Sequence, residues 1–347
     1  MAVLSEKYPI DIVVTWVDDG DSRWLKKRNN LATQTGTTID NVRYRDYGLI
    51  KYFFRSVDQY CPWVNKIFFI TDHQVPSWLD TSNPKLRIIF HEQFIPEKYL
   101  PTFNSNVIEL NLFRLKDLSE HFILFNDDML MVNRTHEDDF FKNGLPRLYG
   151  IYDILLAKEE FHHSLLNNLI IINKYFKKNR HNMMTTSKFF SPMYGREVVK
   201  NLLLFPWTDI SGYFNAHLAV PHLKSTFSVV YEKEPRLFES VFSDHFRIPT
   251  NEINQWIMSY WNIEMGEFYP QSLKLGEYCT VDQLDEIAKV LRTSTREKIL
   301  CINDTELTNE NFERVHSRLT KILNEHFPNK CSFELPQFTI QVQHPDV

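Results

Sequence analysis

The 347-residue chain is poor in the residues that interrupt regular structure, with nine glycines and sixteen prolines in all. Collagen-like and low-complexity chains need a far larger share, and 43% hydrophobic against 24% charged residues excludes disorder. No stretch reaches the roughly 18 apolar residues of a membrane span. The best run, LLNNLIIINKYF, is interrupted by Asn and Lys. Charges precede any long apolar run at the N-terminus, so no signal peptide is expected. The four cysteines at 61, 279, 301 and 331 form no CxxC pair, and the expectation is reduced, mostly buried thiols in a cytoplasmic protein. Basic excess is lacking too. Lys and Arg number 39 against 44 Asp and Glu, a net charge of -5, which argues against a general nucleic-acid binder. There is no Walker A sequence, no GxGxxG after the first strand and no GxSxG elbow. His91-Glu92 is followed by Gln93 and Phe94, so the HExxH zinc pattern is absent as well.

Aromatic residues, by contrast, are abundant: 27 Phe, 15 Tyr and 7 Trp. They supply large buried areas and also stack on sugars and bases, so composition leaves both uses open.

The first 130 residues alternate between strand and helix patterns. IDIVVTWV (10–17), KIFFIT (66–71), LRIIF (86–90) and HFILF (121–125) are apolar on both faces. Between them, 44–60 has a helical period through Leu49, Tyr52, Phe53 and Val57, a short helix is expected at PSWLD, and a long one at 104–118. Doubly buried strands separated by helices imply an α/β fold with a mostly parallel, Rossmann-like sheet. Further helices are expected at 161–178, 193–206, 251–268, 281–292 and 309–325, with a loose or edge-strand tail after Pro336. The chain divides into an α/β half (1–145), a helical, aromatic-rich insert (146–275) and a C-terminal helical segment (276–347), or forms one catalytic domain throughout.

In a parallel sheet the C-terminal strand ends carry the ligand site. Asp18, Asp72 and the pair Asp127/Asp128 fall at those ends. Adjacent carboxylates repel, and a divalent cation between them relieves the repulsion and makes a diphosphate-binding centre. The alternative is a solvated acidic turn. Asp18, Asp19 and Asp21 suit a ribose, a base or a sugar hydroxyl, or simply form an acidic loop. Arg43, Arg45, Lys51 and Arg55 lie in or before the first helix and suit a phosphate, or else surface ion pairs. His217, His222, His245 and Arg247 make a loose cluster of a proton-transfer group and a phosphoryl-binding cation. Taken alone, each histidine reads first as structural.

DIVVTWVDDGD (11–21) resembles the first conserved block of the Stealth family of sugar-1-phosphate transferases, which serve bacterial capsular and cell-wall polysaccharides. The family includes the animal lysosomal-enzyme N-acetylglucosamine-1-phosphotransferase. RYRDYGLIKYFFRSVDQYCPWVNKIFFITDHQVPSWLD (43–80), continuing through LPTFNSNVIELNLFRLKDLSEHFILFNDDML (100–130) and DDFF (138–141), resembles the second and most specific block. HLAVPHLKS through SDHFRIPTNEINQWIMSYW (217–261) resembles the third, and ILCINDTELTNENFERVHSRLTKIL (299–323) the last. Departures are Asp19 ahead of Gly20 in the first block and two extra residues in HLAVPH, where the family commonly has HMPH.

The resemblance implies a GT-A-type nucleotide-sugar fold with helical additions. It also implies transfer of a hexose- or N-acetylhexosamine-1-phosphate from a UDP-sugar to an acceptor hydroxyl, giving a phosphodiester and UMP. Asp127 and Asp128 then become metal and catalytic residues for Mg²⁺ or Mn²⁺. His222, favoured because it keeps the preceding proline, or His217 becomes the base, and Arg247 the phosphoryl-binding cation. Asp18, Arg45, Asp46, Arg55 and Asp72 become donor-binding residues. The expected partners are a UDP-sugar and a lipid-linked saccharide acceptor, reached from the cytoplasm with peripheral contact at the inner face of the membrane. A metal-dependent glycosyltransferase releasing UDP fits the residues alone as well, and a non-catalytic sugar-nucleotide-binding scaffold in a capsule assembly complex is a third reading.

Overall fold

Alternation along the strands builds two cores at once. In β1 (Ile10–Thr15), Ile10, Ile12 and Val14 face one apolar cluster while Val13 faces the other. The computed structural model describes residues 8–39, 44–305 and 307–336, so Arg43 and the tail beyond Pro336 lie outside the described residues. After β1 come α1 (Ser22–Thr35), α2 (Leu49–Tyr60), β2 (Ile67–Thr71), β3 (Leu86–Phe90), α3 (Ser105–Leu110) and β4 (His121–Phe125). Short strands follow: β5 (Met129–Met131), β6 (Phe141–Lys142) and β7 (Leu145–Leu148). The middle of the chain supplies α4 (His162–Tyr175), α5 (Met183–Phe189), α6 (Val198–Leu204), β8 (Val220–Leu223), α7 (Lys224–Lys233), α8 (Pro235–Phe242) and α9 (Trp256–Met265). Last come β9 (Tyr269–Pro270), β10 (Gly276–Thr280), α10 (Leu284–Thr293), β11 (Ile299–Asn303) and α11 (Asn309–His326).

The central sheet has the order β3-β2-β1-β4-β8, parallel except for β8, which pairs antiparallel with β4. This is the mostly parallel α/β sheet expected, consistent with a GT-A-like fold. Ile67 and Phe69 of β2 and Ile123 and Phe125 of β4 join the same core as α2, α10 and α11. Phe68, Ile70, Phe122 and Leu124 join the core of α3, α4, α7, α8 and α9. Order 3-2-1-4 reverses between β1 and β4, and the crevice at such a reversal is where α/β sheets bind ligands.

β5 leaves this sheet. It pairs antiparallel with β11, which runs parallel to β10, so a second three-stranded sheet stands beside the first. The chain crosses between the two sheets at Asn126, Asp127 and Asp128. The four cysteines are free thiols, Cys61, Cys279 and Cys301 buried and Cys331 half-buried.

Three local expectations are corrected. PSWLD is a turn, whose Leu79 pairs with Glu334 in an isolated bridge. The helix expected over 104–118 stops at α3 and a single 3₁₀ turn, Leu112–Arg114. Asn111 breaks it: its side-chain amide donates to Val107 O at 2.8 Å, and its Oδ1 accepts from Arg114 Nε. The acidic cluster after β1 starts a helix, with Asp21 Oδ1 capping α1 at Arg23 N, 2.9 Å.

Arg55 lies on the inner face of α2, away from the strand ends. Its Nε and Nη2 donate to Glu334 at 2.6 and 3.0 Å and its Nη1 to Phe327 O at 2.6 Å. Both partners are almost wholly buried, with 7% and 2% of the side chain exposed. Removing one charge strands the other, at roughly 3–5 kcal/mol. Arg55→Ala is therefore expected to lower the unfolding free energy by about 3 kcal/mol in urea denaturation, and Arg55→Ala/Glu334→Leu to recover part of that loss.

Candidate active site

A cleft of about 670 Å³ opens at the C-terminal ends of β1, β2 and β4. Asp46, Asp72, Asp127, Asp128, Arg45, His217 and Arg247 line it, so seven of the ten expected site residues converge from segments as far apart as 45 and 247. Asp18 is half-buried beside it. Gln74 pins its backbone through two hydrogen bonds of 2.9 and 2.8 Å, and its Oδ1 accepts from Gly20 N. Arg55 is held by Glu334, and His222 is fully buried on β8. Neither of these two lines the cleft.

Asp127 and Asp128 form its floor. Met129 N donates to Asn126 O at 3.3 Å and Ile302 N to Asp128 O at 2.8 Å, tying the turn to the second sheet. Burial, the neighbouring Asp128 charge and Asp46 push Asp127 well above the usual carboxylate range. Burial raises Asp128 to about 6. Among the described residues neither carboxylate has an ion-pair partner, and Asp128 Oδ1 is buried without a hydrogen bond. An unpaired, desolvated carboxylate pair with an orphaned oxygen is the donor set a hard divalent cation satisfies.

A carboxylate oxygen of Asp128, a ring nitrogen of His217 and Cys301 Sγ lie within 4.8 Å of one another. Burial raises the Cys301 thiol strongly, so it stays protonated and donates to Asp128 Oδ2 at 3.6 Å. Sulfur is thus a hydrogen-bond neighbour of the acidic pair, and the oxygens remain the available ligands. His217 has φ 52°, a left-handed conformation uncommon for a non-glycine residue. Its ring stands 5.4 Å from Tyr278 and 6.0 Å from Trp256, and burial lowers its pKa, which favours the neutral imidazole.

Arginines flank the floor. Arg45 Nη1 sits 3.7 Å from Asp304 Oδ2, and Tyr47 OH donates to Asp304 Oδ1 at 2.5 Å. Arg247 donates to Ser105 Oγ at the start of α3. Asp72 is already neutralised, accepting from Lys27 Nζ at 2.8 and 2.7 Å.

Several cleft residues escape sequence reasoning. Glu109, buried on α3, is pushed up to about 7 by desolvation, with Arg247 opposing the shift. Its one sequence signal is a lone carboxylate in the otherwise apolar stretch NVIEL. Asp304 and Gln255 carry no signal of their own. His222 Nε2 meets Gln255 Oε1 at 2.6 Å, while His222 Nδ1 is buried without a partner. The Nε2–H tautomer leaves only an acceptor unmet, the cheaper arrangement. Gln255 Oε1 therefore accepts, and its amide N–H groups are left to donate into the cleft it lines.

Parallel strands, a reversal crevice, an acidic floor and flanking arginines define an α/β protein with a charged cleft at its strand ends. The family model Stealth protein CR2, conserved region 2, matches residues 43–148. The chain is 45% identical over 327 residues to capsular polysaccharide phosphotransferase WcwK of Streptococcus pneumoniae, covering 94% of this chain and 98% of that protein. It is 33% identical over 331 residues to exopolysaccharide phosphotransferase cps2G of Lactiplantibacillus plantarum, covering 95% and 97%. It is 35% identical over 333 residues to receptor polysaccharide phosphotransferase WefC of Streptococcus oralis, covering 94% and 99%. The chain belongs to the Stealth family.

The buried histidine has a consequence for stability. Desolvation lowers folded His222 to about 3, while the unfolded side chain titrates near 6.5. The unfolded state takes up the proton first, so His222 costs stability progressively as pH falls from 6.5 towards 3 and nothing above. Urea denaturation across pH 4–7 is expected to show a shallower acid slope for His222→Asn than for the unmodified protein, by up to one proton.

Proposed function

We propose that this protein is a polysaccharide phosphotransferase that moves hexose- or N-acetylhexosamine-1-phosphate from a UDP-sugar to a saccharide hydroxyl. Polysaccharide phosphotransfer is the activity carried in the names of its full-length relatives. The observation that carries the finer reading is the cleft itself, where an unpaired acidic pair, two arginines and a neutral histidine surround one crevice at the strand ends.

In this reading His217 takes the proton of the acceptor hydroxyl, and the resulting oxygen attacks the phosphorus that bears the sugar. That phosphorus keeps its bond to the anomeric oxygen. UMP departs with the oxygen that bridged the two phosphates, and the product is a phosphodiester. Arg45 and Arg247 stabilise charge on the non-bridging oxygens. Asp127 and Asp128 would hold Mg²⁺ or Mn²⁺, whose charge offsets the diphosphate when bound. Asp18 and Asp46 serve the nucleoside end, and Asp72 holds Lys27 at the rim. We assign the base to His217 because His222 is completely buried, and in this reading His222 orients the donor amide of Gln255.

Incubation with a panel of UDP-sugars, Mg²⁺ or Mn²⁺ and saccharide acceptors is expected to release UMP and to yield a phosphodiester signal in ³¹P NMR. UDP with no phosphorus in the saccharide would make the enzyme a glycosyltransferase, and no turnover across the panel would favour the scaffold. His217→Gln is expected to lower kcat by about 100- to 10,000-fold with little change in the donor KM. Retention of kcat in that variant would remove His217 from the base role.

A further inference from the structure

Away from the cleft, apolar surface is concentrated in one part of the chain. Among the described residues ten large apolar side chains are more than half exposed, and nine of them fall between 154 and 207. Met183 is 90% exposed, Trp207 71% and Leu203 68%. Single exposed leucines are ordinary, but a cluster of this size marks a binding surface.

The cluster is a face and not a scatter. In α6, Val199, Leu202 and Leu203 are exposed at i, i+3 and i+4, while Asn201 points inward, donating to Gly150 O and Phe189 O. In α4, Leu166 and Ile170 are exposed at i and i+4, whereas Asn168, Leu169 and Ile172 are buried. α5 begins with the exposed Met183 and Met184 and ends on the buried Phe189. Lys178 N bonds to Thr208 O, Asn173 Nδ2 to Ile210 O, and Phe190 packs on Phe205. These contacts tie α4, the 178 turn and the end of α5 to the 205–210 segment that follows α6. A surface helix normally turns its polar stripe outward. Here the outward stripe is apolar.

Charge identifies what covers it. Residues 161–207 carry seven Lys or Arg and a single acid, Glu197, within a chain of net charge -5. Glu234, Asp209 and Asp153 reach in to pair with Lys174, Lys177 and Lys200, and the segment still keeps an excess of cations, with Arg180 and Arg196 exposed. Exposed apolar side chains on a segment with a net excess of cations match the boundary between acyl chains and anionic headgroups. The face also reaches the cleft. Phe161, at the head of α4, packs 5.7 Å from Trp256, and both line the cleft.

We propose that the outer face of α4, α5 and α6 docks onto an anionic lipid bilayer and holds the cleft mouth beside a lipid-anchored saccharide. The docking stands on the surface alone, while its purpose rests on the transfer reading above. Among the described residues no helix is long and apolar enough to cross a membrane, so the contact is peripheral.

Flotation of the whole protein with vesicles of phosphatidylcholine, and of phosphatidylcholine mixed with phosphatidylglycerol, tests this. The protein is expected to float with the mixed vesicles and to release as salt is raised. Leu202→Glu/Leu203→Glu is expected to cut the floated fraction at least about tenfold, because two interfacial leucines are lost. The same variant should keep its unfolding midpoint and its turnover with a water-soluble acceptor. Absence of flotation with either vesicle would overturn the proposal. So would a concentration-dependent dimer, seen by sedimentation without vesicle binding and abolished by the same substitutions, which would make the face an interface between copies. Flotation without turnover on any UDP-sugar would support the docking and sink the transfer reading instead.

Discussion

The crossing from β4 to β5 is the constraint on which the site depends. The chain leaves the central sheet at Phe125 and enters the second sheet at Met129, so the three residues between them must span the gap between two hydrogen-bonded ladders. The bond from Ile302 N to Asp128 O closes that span from the other side. Asp127 and Asp128 are consequently held half-buried on the cleft floor, where no protein cation among the described residues reaches them. Their mutual repulsion is a cost of the fold at this point, and the proposed Mg²⁺ or Mn²⁺ would relieve it.

Everything else in the cleft is arranged around that floor. β11 carries Cys301 behind Asp128 and ends beside Asp304, which steadies Arg45 with Tyr47. The segment before β8 brings His217 to the same carboxylate, and the segment before α9 brings Arg247, Asn254 and Gln255. Because β8 pairs with β4 itself, the segment carrying His217 enters the sheet beside the strand that ends in the acidic turn.

β1, β2, β4 and α2 were legible because a strand buried on both faces writes a largely apolar run, and these strands alternate between two cores, while half-buried β3 was legible from the apolar residues of LRIIF. The second sheet was not legible. MLM and ILCIN are short and pair across 170 residues, and periodicity says nothing of partners. α3 looked longer because Asn111 competes for the helix backbone through its side chain. α1 was hidden by a polar composition that its Asp21 cap and Gly36 stop make helical. Of the site, the acidic pair was readable from its place after a strand. Arg45 and Arg55 could not be told apart by type, since only the buried Glu334 partner distinguishes a structural arginine from a cleft arginine. His217 and His222 differ likewise by burial alone.

The central claim is that chemistry in this cleft occurs at phosphorus and leaves the anomeric carbon untouched. The most direct measurement uses a UDP-sugar labelled with ¹⁸O at the oxygen joining the anomeric carbon to phosphorus. Mass spectrometry then locates the label after turnover. The account predicts that the ¹⁸O remains with the sugar, inside the phosphodiester of the saccharide product, and that the released UMP is unlabelled. Label recovered in a released UDP, with an unlabelled and phosphorus-free saccharide, would contradict it.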